Sequence, residues 1–231
     1  MVYDEHISAA YGRYTYTFGS KISVGVGLRV EHTYAMPAAT GVNNIERQNY
    51  FSFFPQADLI LPLGDSNQLI FNYARKIRRP SFWLLIPLRR PISETEVAVG
   101  NPKLKPSFSH EFSLNWVIRQ KYTVTAGAYL MNDVWVSTPR VDPDDPMSLI
   151  RTPENQNSSS MWYVSAAVPV QVTPWGSFNA NLVGTLAWYH IDQYRKSNHR
   201  LTGNLINTFT LREGTSLMLS AYGHTRNRYE Y

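Results

Sequence analysis

The sequence predicts an all-β fold, an antiparallel up-and-down sheet of about ten strands whose lengths suit a transmembrane barrel wall. Three observations predict it. Apolar and polar residues alternate with period two in run after run, the pattern of strands with one greasy and one polar face. The runs reach about 12 to 16 residues, past the roughly 5 to 6 of soluble sheets and long enough for a tilted membrane crossing of about 9 to 11. Connections alternate between tight turns at one edge and long loops at the other, a sorting that a membrane barrel needs and a soluble sandwich does not.

The first strand is expected over residues 4–18, and Gly19-Ser20 turns the chain into 21–34, where Val24, Val26, Leu28 and Val30 alternate with Gly25, Gly27, Arg29 and Glu31. A long loop over 35–48 precedes a strand at 49–61. Leu63-Gly64-Asp65 supplies the turn into 67–78, with Leu69, Phe71 and Tyr73 on its apolar face. The proline-rich loop 79–107 follows. Strands 108–119 and 122–138 are joined by Arg119-Gln120-Lys121; Phe112, Leu114, Trp116 and Ile118 alternate in the first, Tyr122, Val124, Ala126, Ala128 and Leu130 in the second. Loop 139–157 leads to a strand at 158–171. Thr173-Pro174-Trp175-Gly176 turns into 177–193, where Phe178, Ala180, Leu182, Gly184, Leu186 and Trp188 share a face. A shorter loop, 194–199, precedes 200–211, and Arg212-Glu213-Gly214 turns into 215–228, with Leu217, Leu219 and Ala221. The tight turns are assigned to the periplasmic side and the long loops to the extracellular side.

Composition is compatible with this reading and excludes others. The 231 residues include 15 Tyr, 6 Trp and no Cys, and only 17% are charged. Mean hydropathy is −0.30, and no run of about 18 apolar residues exists, so no helix crosses a membrane, a test that barrel strands escape. Lack of cysteine fits a protein that crosses an oxidising compartment without a disulfide framework. Met1-Val2-Tyr3-Asp4-Glu5 has neither the basic nor the apolar stretch of a secretory signal, and Leu217 to Tyr231 reads as a strand still in progress. Residues 1–231 are therefore expected to be one incomplete barrel segment of a longer protein. Tyr11, Tyr14, Tyr16, Tyr34, Tyr50, Phe51, Trp116, Tyr122, Trp135, Trp162, Trp175, Trp188 and Tyr189 lie near strand ends. They suit interfacial girdles, with ordinary cross-strand packing as the alternative.

Few constellations suggest chemistry. Arg75, Lys76, Arg78, Arg79, Arg89 and Arg90 form a basic cluster that either attracts an anionic ligand or lines the lumen in pairs with Glu94 and Glu96, the second reading being favoured. Val141-Asp142-Pro143-Asp144-Asp145-Pro146 lacks the glycine and terminal glutamate of an EF-hand and reads as a solvated, proline-stiffened loop. His190, Asp192 and His199 have no recognisable ligand spacing, and Leu114 stands where a zincin helix needs its second histidine. No nucleophile elbow, Walker loop, dinucleotide fingerprint or nucleic-acid-binding motif occurs, despite a net charge of +5. No enzyme, no cofactor, no metal and no nucleic-acid partner is expected.

The stretch from Asn72 to Pro106 is the most distinctive. A strand ends in Tyr73-Ala74-Arg75-Lys76-Ile77-Arg78; Arg79-Pro80-Ser81, Ile86-Pro87 and Gly100-Asn101-Pro102-Lys103-Leu104-Lys105-Pro106 follow in order. This resembles the outer-membrane β-barrel family found at the C-terminal end of TonB-dependent receptors. Gly27-Leu28-Arg29-Val30-Glu31-His32-Thr33, Phe54-Pro55 and Tyr129-Leu130-Met131-Asn132-Asp133-Val134 add matches, so the resemblance runs from about Glu5 to Asn157. It implies an outer-membrane location, contact with membrane lipid, a plug domain that engages the TonB complex but lies outside this chain, and an unknown transported ligand such as a siderophore, glycan or peptide. A surface lipoprotein is a further partner it implies. Arg79, Pro80, Gly100, Asn101, Pro102 and Pro106 are the structural motif; Arg78, Arg79, Arg89, Arg90 and Trp83 are the candidate ligand contacts. The alternatives are a small complete outer-membrane pore or adhesin, which needs a closing final strand, and a soluble ligand-binding barrel, which needs a dry interior.

Overall fold

A computed structural model describes residues 2–19, 21–38, 47–191, 194–212, 214–226 and 228–230. Ten long strands form one continuous antiparallel ladder in the order β1 (Val2–Phe18), β2 (Ile22–Ala38), β3 (Gln48–Pro62), β4 (Gln68–Arg78), β7 (Ser107–Ile118), β8 (Tyr122–Val141), β9 (Leu149–Thr173), β10 (Gly176–Ile191), β11 (Tyr194–Arg212) and β12 (Thr215–His224). Between β4 and β7 the chain makes a one-turn helix α1 (Phe82–Leu85) and two short strands, β5 (Arg90–Ser93) and β6 (Glu96–Ala98). β13 (Arg228–Glu230) continues along β11 after a break from β12. The expected strand order and all ten long strands are present.

Directly opposed residues of neighbouring strands share a face, so the registers sort the side chains. Tyr16 opposes Val24, and Val24 opposes Leu59; Phe71 opposes Leu114, which opposes Ala126; Trp162 opposes Leu186, and Leu205 opposes Ala180 and Ala221. That face is mainly apolar along the middle of the ladder, with polar members such as Arg75, His110, His199 and Asn207. The other carries Glu31 and Ser52, Asn72 and Ser113, Asn115 and Thr125, Asn181 and Asn204 in opposed pairs. On this polar face Arg13 reaches across β2 to Asp58, 2.5 Å away. Gly25 lies beneath the pair, and a Cβ there would run into both side chains. Tyr11, Tyr50, Trp135 and Tyr189, expected in the aromatic girdles, oppose Arg29, Thr33, Asn155 and Lys196 and so project from the polar face. Period-two counting from a strand end had placed them near an interface but could not choose the face.

Five tight connections lie at one edge of the ladder. Arg119 and Gln120 both take φ of 52°, the two left-handed positions of a type I′ hairpin, closed by the Lys121 amide on the Ile118 carbonyl at 3.0 Å. At the other edge the proline-rich connection keeps its expected extent, while others are shorter than expected because the strands run on. β8 and β9 stay paired up to Val141 and Leu149, so loop 139–157 shrinks to 142–148. Residues 194–199, expected as loop, belong to β11. Most of loop 35–48 lies outside the described residues; its two ends extend β2 and β3. The longest of these extensions, 151–157 and 194–199, are mostly polar and lack the hydropathic alternation used to find strands.

The β3–β4 ladder is incomplete. It stops at Gln56 opposite Ala74, although both strands continue. Pro55 explains the stop, because a proline in the next ladder position has no N–H to donate. Above it the Arg75 guanidinium takes over, donating to the Phe53 carbonyl at 2.7 Å while it lies 4.3 Å from the Phe108 ring centre. Among the described residues β1 pairs only with β2, and β12 only with β11, so the sheet does not close on itself.

Candidate functional site

The proline-rich segment after β4 folds over the loop edge of the ladder and is held from both sides. Arg79 leaves the end of β4 and donates to Glu31 Oε2 at 2.5 Å and Thr33 Oγ1 at 3.0 Å on β2. Glu31 is 6% exposed and also pairs with Arg29 at 2.6 Å, so one buried carboxylate anchors two guanidiniums. Pro80, Leu85, Ile86 and Leu104 are buried under the segment. Gly100 packs against the Ile86 backbone and donates to the Ile86 carbonyl at 3.0 Å. The Asn101 amide bonds the Leu84 carbonyl at 2.7 Å, its side chain bonds the Pro153 carbonyl at 3.0 Å, and its Oδ1 accepts the Lys103 amide. Asn155 clasps both polar groups of the Lys105 backbone, at 2.8 and 3.0 Å. Pro102 and Pro106 are half-buried and fix φ on either side of Leu104.

Gly100→Ala is therefore expected to overlap the Ile86 backbone and to cost about 1 to 3 kcal/mol, the range of overpacked interiors. Urea unfolding in lipid vesicles, compared with Gly223→Ala, where a Cβ meets open space, measures the difference.

The basic cluster divides in two. Arg79 and Arg89 are neutralised: Arg89 pairs with the fully buried Asp142 and, at 2.8 Å, with exposed Asp144. Lys76 pairs with Glu111 at 2.5 Å. Arg78 and Arg90 instead rest on indole rings. The Arg78 guanidinium lies 4.1 Å from the Trp135 ring centre, and that of Arg90 lies 5.1 Å from Trp83 while donating to the Trp83 carbonyl at 3.0 Å. Neither is paired to a carboxylate among the described residues. Trp83 is 51% exposed. The expected partners were wrong: Glu96 pairs with Arg151 of β9, beside a short parallel ladder between β6 and β9, and among the described residues Glu94 pairs with none of the cluster. Long-range register, invisible in sequence, decides these pairs.

The acidic loop is likewise not simply solvated. Asp142 is buried against Arg89 and accepts the Asp144 amide. Asp145 is exposed, and the Ser148 hydroxyl and Met147 amide hold its carboxyl below the usual carboxylate range. His190 and His199 lie on different strands, four ladder positions apart on the same face, and Asp192 lies outside the described residues. Among the described residues no group of three His, Asp or Glu side chains could hold a metal ion. Glu31, Thr33, Asp142 and Asn155 hold the loop, a role that sequence reasoning gave to none of them. Glu31 alone carried a signal, as the acidic member of an alternating run that already bears Arg29.

An alternating sheet with one mainly apolar face, tight turns at one edge and a clamped basic loop at the other defines the wall of an outer-membrane β-barrel. The outer membrane protein beta-barrel family model matches residues 1–230, and the chain belongs to that family. Its location is the outer membrane. No curated protein sequence matches it. Solved structures similar in fold include the siderophore receptor PirA from Pseudomonas aeruginosa, at TM-score 0.77 and 16% identity over 97% of this chain and 41% of that one. The copper transporter OprC gives 0.65 and 14% over 95% and 39%, and the ferric enterobactin receptor PfeA 0.59 and 12% over 94% and 39%. The chain thus spans about two-fifths of the length of these structures.

Proposed function

We propose that this chain supplies barrel wall and extracellular loops to a TonB-dependent receptor for active uptake of a ligand such as a siderophore, glycan or peptide, and that it catalyses no reaction. Residues 1–231 act as one unit of wall. The plug domain, and through it the TonB complex, belongs to the rest of the receptor. Edges left unpaired at β1 and β12 among the described residues support this, since unpaired backbone groups in hydrocarbon cost several kcal/mol each and call for neighbouring strands. A surface lipoprotein that covers the mouth is part of the same proposal for bulky ligands.

The observation that carries ligand capture is the pair Arg78 and Arg90, two cations laid on Trp135 and Trp83 at the loop edge and left without a carboxylate. Such a guanidinium is held in place yet keeps its charge for a guest. An anionic ligand is expected. Replacing both arginines with alanine in the full-length receptor should weaken binding of a ferric siderophore anion by roughly 10- to 100-fold, for about 1.5 to 3 kcal/mol of lost charge-assisted bonding. A neutral oligosaccharide serves as the control. Equal siderophore affinity in the double variant and the native receptor would remove these residues from the site.

A further inference from the structure

The apolar face is not uniform. A groove of about 900 Å³ crosses it between β4 and β11, within the size range of small-molecule sites. Trp162 and Leu201 stand along it, both half exposed. Its floor includes Ala128 and Gly184, where neighbouring positions of the same face carry Leu, Val or Trp. His199 and Arg226 close one end. Arg226 falls in the break between β12 and β13, where the pairing with β11 shifts by one residue.

Height gives this arrangement meaning. His199 lies far along β11 from the turn at Arg212, roughly 30 Å above it for about 3.3 Å rise and a tilt of about 40°. The apolar band of a barrel is only about 25 Å tall, so the cationic end falls at headgroup level and the groove below it within the hydrocarbon. Neither His199 nor Arg226 is paired to a carboxylate among the described residues. A basic cluster at that level attracts anionic lipid headgroups.

We infer that this groove holds an acyl chain of one outer-leaflet lipid, with the phosphorylated headgroup of that lipid on His199 and Arg226. The outer-leaflet assignment rests on the topology proposed above; the lipid site itself does not. The chain lies along Ala128 and Gly184, against Trp162, in space that larger side chains would fill. Gly184 offers a clean probe, because a Cβ there meets only the Val164 carbonyl oxygen, at 3.9 Å.

Trp162 reports the occupant directly. The full-length protein is reconstituted in vesicles containing brominated phosphatidylglycerol or brominated phosphatidylcholine, and the Trp162 component is taken as the difference from a Trp162→Phe variant. Quenching should reach half-maximum at a mole fraction at least threefold lower for the anionic lipid. Gly184→Leu should abolish that preference while heat-modifiable migration stays native. His199→Ala with Arg226→Ala should bring the two lipids to the same midpoint. Equal midpoints in the native protein, or a preference that survives Gly184→Leu, would overturn the site. Both leaflets carry the same lipid in such vesicles, so a reversed topology would leave this result unchanged and would show only in surface labelling.

Discussion

Arginine at Leu182 is expected to destabilise the folded protein in lipid by about 2 to 4 kcal/mol, the cost of that side chain on the lipid face near the bilayer midplane. Leu182 is half exposed and opposes Ala166 and Gly203 on the apolar face. It lies roughly 15 Å above the turn at Gly176, for about 3.3 Å rise and a tilt of about 40°. Asn181→Arg is the matched control, one residue away on the polar face opposite Ala167 and Asn204, and should change stability by less than about 0.5 kcal/mol. The two free energies come from urea titration in vesicles. Equal costs at both positions would contradict the assignment of faces.

The second large effect is expected at Glu31. Removing a buried partner strands the opposing charge, which costs about 3 to 5 kcal/mol in a fully buried pair. The side chain of Arg79 is 23% exposed and Arg29 53%, so solvent screening brings the expectation for Glu31→Ala to about 2 to 3 kcal/mol. The loss should be local, loosening the segment from Arg79 to Pro106. Trypsin should then cut at Arg89 much faster in the variant, with the strands still protected. Glu31→Ala combined with Arg79→Met should recover part of the protection, because the better buried of the two stranded guanidiniums is gone and Arg29 is exposed enough to be solvated. Unchanged proteolysis in the single variant would show that the clamp on β2 does not hold the loop.

Most of the ladder was legible in the sequence because a membrane wall is written in period two. Val24 to Val30 and Phe178 to Trp188 each state a strand and its apolar face without reference to any partner. The loop motif was legible for a different reason. Gly100 occupies a position where only a missing Cβ is tolerated, and Pro80 is a buried residue with a fixed φ, so local chemistry marks both. What the sequence hid was pairing at a distance. Arg79 finds Glu31, and Arg151 finds Glu96, through strand registers that no local pattern encodes. The polar extensions of β8, β9 and β11 were hidden too, since beyond the hydrocarbon neither face needs to be apolar.

Pro55 shows how one residue links these levels. The sequence marks it only as part of Phe54-Pro55, yet in the ladder it ends the β3–β4 pairing and leaves the Phe53 carbonyl to Arg75. One member of the basic cluster is thereby spent on the backbone of the wall. In the proposed receptor the charges offered to a guest are Arg78 and Arg90, not the whole cluster.

The central claim is that the apolar face spans the outer membrane with the clamped loop outside the cell. The chain has no cysteine, so a single one can be placed at exposed Ser93 and another, separately, at exposed Asp65 in the β3–β4 turn. A membrane-impermeant maleimide on intact cells should label Ser93→Cys directly and Asp65→Cys only after the outer membrane is permeabilised. The reverse order would turn the barrel over, and equal labelling of both without permeabilisation would contradict a membrane-spanning wall.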